Sequence, residues 1–171
     1  MFTALSALAS KQAAPTEKTM QKCLQFLDYA ASQEDAIVTY RASNMRLGIH
    51  SNALYLSEPK AQSRASGHMF MAGTEDLPIN NGAVLNISQI IRAVMSSAAE
   101  AKLGALFINA KMVVSMQHTL EEMGHLQMRT PIQTNNLTAH TLLTNKILPK
   151  VLKTMDMQFH GLCCREAQDQ Y

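Results

Sequence analysis

Apolar residues recur at helical spacing in two stretches of the chain. Residues 17–32 follow Thr16, whose hydroxyl suits a helix N-cap, and residues 94–123 are followed by Gly124, a residue type that commonly ends a helix. The pattern therefore predicts one helix over 17–32 and a longer helix over about 94–123. The first helix carries an apolar stripe of Met20, Cys23, Leu24, Leu27 and Ala31.

Shorter stretches rich in β-branched and aromatic residues predict strands. Alternation of apolar and polar residues in the strand predicted over 45–56 puts Leu47, Ile49 and Ser51 on one side. Gly67 indicates a bulge or a close backbone approach within its strand, and Asn81-Gly82 indicates a hairpin. The predicted strands cover residues 36–43, 45–56, 63–73, 83–91 and 130–134.

The order of these elements predicts the fold class. An antiparallel meander is followed by the long helix and then by one more strand, which is typical of an α/β fold with a mixed sheet. Two further helices are predicted near the end of the sequence. One covers 135–145 with Asn135 or Asn136 as its N-cap, and the other begins after Pro149.

Composition limits the classes of function without choosing among them. The 171 residues are 47% hydrophobic, which suits one globular core, and 15 Lys and Arg nearly balance 13 Asp and Glu. A dedicated nucleic-acid binder usually carries a clustered basic excess, and this chain has none. Dispersed basic residues such as Arg64 are interpreted as surface charges.

Cysteine usage and the first residues of the sequence indicate the compartment. Cys23, Cys163 and Cys164 are an odd number with two adjacent, a poor disulfide framework, so we expect free thiols in a reducing environment. The first 18 residues lack a basic leader and a long apolar run, and no stretch approaches the roughly 18 apolar residues of a membrane span. We expect a cytoplasmic or nuclear protein that is not secreted and has no membrane partner.

Four motifs, in the same order and at similar spacing, resemble the ribonuclease H domain of copia-type retrotransposon polyproteins. The segment before them, 5–43, resembles the tail of the reverse transcriptase that precedes this domain. The four motifs are "HSNALYLSEPKAQSRASGHMFM" (50–71), "SSAAEAKLGAL" (96–106), "IQTNNLTA" (132–139) and "MDMQFHGLCCREAQ" (155–168).

This resemblance implies a domain division and an architecture. Residues 1–43 would be a remnant of the reverse transcriptase connection, a helix plus a short strand. Residues 44–171 would be a truncated ribonuclease H-like domain: an antiparallel meander plus one parallel strand, flanked by helices, with the family's last strand and helix missing. Exposure of a sheet edge would then favour self-association.

The resemblance also implies an ancestral activity, cleavage of the RNA strand of an RNA–DNA hybrid by two Mg²⁺ ions. Two such ions about 3.5–4 Å apart repel each other and need several anionic oxygens to hold them. An amide oxygen can ligate a hard cation, but it brings no negative charge.

At the family's acidic positions this sequence has other residues. Asn52 stands where the first Asp is expected, Asn135 where the Asp after the short strand is expected, and Lys102 where the helical Glu is expected. In the alternative register Glu100 is that helical carboxylate and remains the one candidate metal ligand. Both helix positions flank the apolar stripe, so we expect both side chains to be half-exposed.

The expected outcome is a dismantled metal site with no resident cofactor. Two Asp-to-Asn replacements remove two charges, and Glu-to-Lys replaces an anion with a cation. The leading hypothesis is an inactive retrotransposon segment with weak or no nucleic-acid binding. The alternatives are a non-enzymatic module that binds nucleic acid or protein, and a weakly active nuclease that uses Glu100 with Asn ligands.

Overall fold

The computed structural model describes residues 1–75 and 79–135. The helices predicted at 135–145 and after Pro149, and the last of the four motifs with its cysteines, lie outside the described residues. The chain divides into two compact units, Met1–Thr39 and a second unit that begins at Tyr40. None of the described helices is long and apolar enough to cross a membrane.

The first unit is a pair of helices, α1 (Phe2–Ala9) and α2 (Glu17–Ala31). Thr16 is the N-cap of α2, and its hydroxyl and that of Thr19 exchange hydrogen bonds with each other's backbone N–H at 3.3 Å. The prediction of this helix and its cap is confirmed. Its apolar stripe is not buried, because Met20, Leu24 and Leu27 are each more than half exposed.

The prediction of a strand over 36–43 is wrong. The backbone of Arg41 is hydrogen-bonded to the side chain of Asn81 and not to a neighbouring strand. The Arg41 N–H donates to Asn81 Oδ1 at 2.8 Å, and Asn81 Nδ2 donates to the Arg41 carbonyl at 3.0 Å. Asn81 Nδ2 also donates to the Met71 carbonyl, at 2.9 Å. An amide side chain thus satisfies the polar groups that strand pairing would otherwise satisfy. Asn81 therefore supports a long connection instead of a two-residue turn.

The second unit contains a four-stranded sheet in the order β3-β2-β1-β4. The strands β1, β2 and β3 pair antiparallel, and β4 pairs with β1 in parallel, so the predicted mixed sheet is confirmed. The four strands match four of the five predicted ones. Their bounds are β1 (Arg46–Glu58), β2 (Gln62–Ala72), β3 (Ala83–Ile91) and β4 (Ile132–Thr134).

One long helix, α3 (Ala98–Glu122), covers one face of the sheet. It begins at Ser97, whose hydroxyl accepts from the Glu100 N–H at 3.1 Å. It ends where Gly124 adopts φ +90° and donates to the Glu121 carbonyl, while His125 donates to the Leu120 carbonyl. That paired arrangement satisfies the last carbonyls, as the glycine predicts.

The core lies between this helix and the alternate residues of β1 and β2. Leu47, Ile49 and Ser51 are all at most 4% exposed, which confirms the predicted inward side of β1. One apolar cluster joins Leu47, Ile49, Met69 and Met71 of the sheet to Val113 and Leu120 of α3.

A polar contact is buried within this core. Asn109 of α3 is fully buried and donates from Nδ2 to Ser51 Oγ at 2.8 Å and to the Ser66 carbonyl at 3.0 Å. A Cβ added at Gly67 would meet the Asn109 side-chain oxygen. The close approach predicted at Gly67 is therefore confirmed, and the approaching group is a side chain from the helix.

Arg64 is also buried, contrary to its interpretation as a surface charge. Its side chain is 1% exposed, and Nε donates to Glu58 Oε1 at 2.6 Å. Nη1 donates to the Ser88 carbonyl and hydroxyl at 3.3 Å. Glu58 and Ser88 thus supply acceptors for this buried guanidinium.

Candidate functional site

The candidate site lies where β1 and β4 run side by side in parallel. Their register pairs His50 with Gln133 and Ser51 with Thr134, so the next residues along the two strands, Asn52 and Asn135, are neighbours. A recess of about 350 Å³ opens at this point. It is lined by His50, Ser51, Asn52, Gln133, Thr134 and Asn135.

Lys102 reaches the same place from the second turn of α3. Its Nζ donates a hydrogen bond to Asn135 Oδ1 at 2.8 Å. The structure therefore brings together the three residues that the sequence resemblance singled out: Asn52 and Asn135 share the recess, and Lys102 contacts Asn135. These three residues lie 83 positions apart at most, so only tertiary structure makes them neighbours.

The side-chain oxygens of both asparagines are already engaged by the protein. The Ala53 N–H donates to Asn52 Oδ1 at 2.9 Å, and the Lys102 ammonium occupies Asn135 Oδ1. An ammonium group can only donate, so it fixes which end of the Asn135 amide faces it. Both asparagines therefore keep their Nδ2 groups as hydrogen-bond donors, while each side-chain oxygen already accepts one hydrogen bond.

Glu100 has a different environment from Lys102. It is 1% exposed, and its Oε2 accepts hydrogen bonds from the Ser96 N–H at 2.5 Å and the Ser96 hydroxyl at 2.6 Å. The expectation of a half-exposed Glu100 is wrong, because the carboxylate turns back to the residue before the helix cap. Lys102 is partly exposed, as expected.

The two helix positions also point in different directions. Residues two apart on an α-helix are about 200° apart around its axis. Accordingly, Lys102 contacts Asn135, whereas the Glu100 carboxylate is held by Ser96. Of the two alternative registers, the one that uses position 102 is the one with its side chain at the recess.

The donor set does not fit Mg²⁺. Magnesium prefers anionic and carbonyl oxygens in a near-octahedral arrangement. The recess lining contains no carboxylate, each of its two asparagine side-chain oxygens already accepts a hydrogen bond, and an ammonium lies beside it. Within residues 1–75 and 79–135, no group of three His, Cys, Asp or Glu side chains could hold a metal ion.

His50 is a lining residue that sequence reasoning did not single out. Its ring stacks on Phe70 with centroids 5.3 Å apart, and the His68 ring lies 6.3 Å away. Burial lowers the pKa of His50, the nearby His68 lowers it further, and a hydrogen bond with the Asn80 side chain opposes both effects. The sequence predicts both strands but not their register, and it is the register that pairs His50 with His68.

Gln133 and Thr134 were also missed as lining residues. They belong to the predicted strand 130–134, and only its parallel pairing with β1 places them beside His50 and Ser51. A short strand in sequence does not reveal which neighbour it will pair with, so these two positions carried no independent signal.

The fold is similar to that of solved ribonuclease H1 structures. A ribonuclease H1 isolated from compost by a metagenomic approach has 10% sequence identity and a TM-score of 0.51, over 72% of this chain and 77% of that one. A ribonuclease H1 from the halophilic archaeon Halobacterium salinarum has 10% identity and a TM-score of 0.43, over 73% of this chain and 76% of that one. No protein-family model and no curated protein matches the sequence. The compost enzyme, together with the mixed sheet, confirms the ribonuclease H-like fold.

Proposed function

We propose that this chain derives from a copia-type retrotransposon polyprotein and that it has lost hydrolysis of RNA in RNA–DNA hybrids. Residues 1–43 correspond in this proposal to the end of the reverse transcriptase, and residues 44–171 to the ribonuclease H-like domain. The origin is supported by the sequence motifs and by the ribonuclease H-like fold of the second unit. We expect such a protein in the cytoplasm or nucleus.

One observation carries the loss of activity. The Lys102 ammonium is hydrogen-bonded to Asn135 at the position proposed for a metal ligand. A positive charge beside two divalent cations repels them by several kcal/mol in a partly buried site. The ancestral reaction needs these cations to activate water and to neutralise charge on the scissile phosphate, so their exclusion removes the chemistry.

The alternative of a weakly active nuclease built on Glu100 is disfavoured by the same geometry. The Glu100 carboxylate is buried and accepts two hydrogen bonds from Ser96. Turning it toward the recess would break both bonds and leave Ser96 N–H without that acceptor. Hydrogen bonds to a charged group contribute about 1.5–3 kcal/mol each, so this reorientation is costly.

The proposal is tested by incubating the full chain with an RNA–DNA hybrid and Mg²⁺ or Mn²⁺. We expect no cleavage above a mock preparation. The variant with Asn52→Asp, Lys102→Glu and Asn135→Asp is expected to bind Mg²⁺ more tightly, as measured by calorimetry. Lys111→Glu is the control for the Lys102→Glu part of this variant, because it makes that same two-unit charge change on the same helix at an exposed position. Cleavage by the unaltered chain would overturn the proposal.

Self-association through the β3 edge is the second part of the proposal. β3 is the last strand on its side of the described sheet, and its nine residues include no charged residue and no proline. Edge strands usually carry such residues to prevent pairing with another copy. Val84 on this strand is 45% exposed. We expect concentration-dependent dimerisation in analytical ultracentrifugation that Val84→Lys weakens and that the control Met112→Lys on α3 does not; a monomer at all concentrations would contradict this part.

A further inference from the structure

The recess at the β1–β4 junction presents several hydrogen-bond donors. The oxygens of Asn52 and Asn135 are engaged by the Ala53 N–H and by Lys102, which leaves each Nδ2 as a donor. Gln133 and Thr134 add an amide and a hydroxyl to the lining. A surface that offers N–H and O–H groups is complementary to an anion such as a phosphate, whose oxygens only accept.

The recess also carries a positive charge, which attracts an anion just as its N–H and O–H donors do. Lys102 lies at its edge, and its ammonium has three N–H donors, one of which is directed to Asn135. Across 1–75 and 79–135, Lys102 Nζ has no salt bridge with a carboxylate. The carboxylate two residues away, that of Glu100, is buried and bound to Ser96. The ammonium is therefore not neutralised by an acidic partner within those residues.

We propose that this recess binds a backbone phosphate of nucleic acid directly, with the Lys102 ammonium supplying the positive charge and Asn52 and Asn135 donating from Nδ2. No divalent cation takes part. The inference rests on the proposed function, which makes an RNA–DNA hybrid the appropriate nucleic acid. The near-neutral net charge of the chain limits the contact to a weak, local one, because most affinity for nucleic acid comes from many such charges.

The experiment measures binding of a fluorescent RNA–DNA hybrid to the full chain by anisotropy, in EDTA, over a series of salt concentrations. A protein charge that neutralises one phosphate contributes about 0.9 to the slope of log affinity against log salt for a duplex. Lys102→Gln is expected to lower the affinity at low salt and to reduce that slope by about one. Lys111→Gln is the matched control: Lys111 is exposed, nine residues further along α3 and half a turn around it, with its Nζ over the Phe107 ring.

A second measurement identifies the groups involved and the source of the phosphate. The side-chain amide signals of Asn52 and Asn135 are followed by nuclear magnetic resonance during addition of the hybrid and, separately, of inorganic phosphate. Shifts of both signals with the hybrid support the proposal. Shifts with inorganic phosphate and none with the hybrid would overturn it, because the recess would then be a site for small anions.

Two further outcomes would also overturn the inference. In one, Lys102→Gln binds the hybrid with unchanged affinity and salt slope; in the other, EDTA abolishes binding by the unaltered chain. Neither result concerns cleavage of the hybrid, which is assayed separately in the presence of Mg²⁺. Failure of phosphate binding and failure of the proposed loss of hydrolysis are thus distinguishable.

Discussion

Ser51 and Asn52 are adjacent on β1 but differ in burial, in the direction of their side chains and in the groups that they contact. Ser51 is 4% exposed and accepts a hydrogen bond from buried Asn109. Asn52 points to the opposite side, is exposed, and lines the recess beside Asn135. Because successive strand residues face opposite ways, one strand supplies both a core contact and a candidate site.

The difference between these two regions teaches how such a site can change while the fold persists. Polar groups on the core side are closed inside the protein, so replacing one leaves its partner unsatisfied and lowers stability. Polar groups at the recess remain in contact with water, which can replace a lost partner. The stability of the sheet therefore constrains Ser51 and Asn109, but it does not constrain Asn52, Lys102 or Asn135.

The largest effect is expected where a charged group is fully buried, at the ion pair of Arg64 and Glu58. Glu58→Gln removes the charge that balances Arg64, which is 1% exposed. Loss of one partner of a buried pair costs about 3 kcal/mol or more, so we expect about 3 kcal/mol lower free energy of unfolding, measured by urea denaturation. An unchanged unfolding midpoint would show that water reaches the guanidinium, and the contrast between buried and water-exposed polar groups would be wrong.

A smaller loss is expected where the helix approaches the sheet. Gly67→Ala places a methyl group against the Asn109 side chain, and overpacking of this kind costs about 2 kcal/mol. The double variant with Asn109→Ala relieves the clash. The loss of unfolding free energy in the double variant, measured by denaturation, should therefore be smaller than the sum of the losses in the two single variants. Additive effects would contradict the contact between Gly67 and Asn109.

The comparison of neighbours is sharpest in the pair Ser51→Ala and Asn52→Ala. The first removes the hydroxyl that accepts from Asn109, and we expect a loss of about 1 kcal/mol. The second changes an exposed side chain, and we expect a change within about 0.5 kcal/mol. Both are measured by thermal unfolding of otherwise identical proteins. Equal losses would remove the distinction between the two faces of β1.

The smallest effect is a pH dependence at His50. Its pKa in the folded state is lowered below the ordinary value of 6.5, first by burial and then by His68. The folded state therefore binds fewer protons than the unfolded state, and stability is full above about pH 6.5 and falls as the pH drops toward the folded pKa. His50→Gln should flatten this part of a plot of melting temperature against pH; an identical slope in both proteins would assign it to other groups.

Local patterns predicted most of the fold because they depend on short-range physics. The cap at Thr16, the inward side of β1 and the end of α3 at Gly124 each follow from a few neighbouring residues. The strand expected over 36–43 failed because its backbone partner is the side chain of Asn81, a contact that spans 40 positions. Composition alone does not distinguish a strand from an extended segment held by a side chain.

The residues proposed for the site could be named from the sequence, but their hydrogen bonding could not. Asn52, Lys102 and Asn135 came from the resemblance, and the parallel pairing of β1 with β4 explains why they meet. The engagement of both amide oxygens depends on rotamers and on tertiary contact, which no sequence pattern encodes. The burial of Glu100 likewise depends on Ser96 folding back over the start of α3.

The most direct measurement of whether the recess excludes divalent cations is titration of the isotopically labelled chain with Mn²⁺, observed by nuclear magnetic resonance. A paramagnetic ion bound at the recess would broaden the side-chain amide signals of Asn52 and Asn135 before any others. We predict that both signals stay sharp at low Mn²⁺, whereas the variant with Asn52→Asp, Lys102→Glu and Asn135→Asp shows selective broadening of backbone signals around the recess. Selective broadening of the two asparagines in the unaltered chain at low Mn²⁺ would contradict the account.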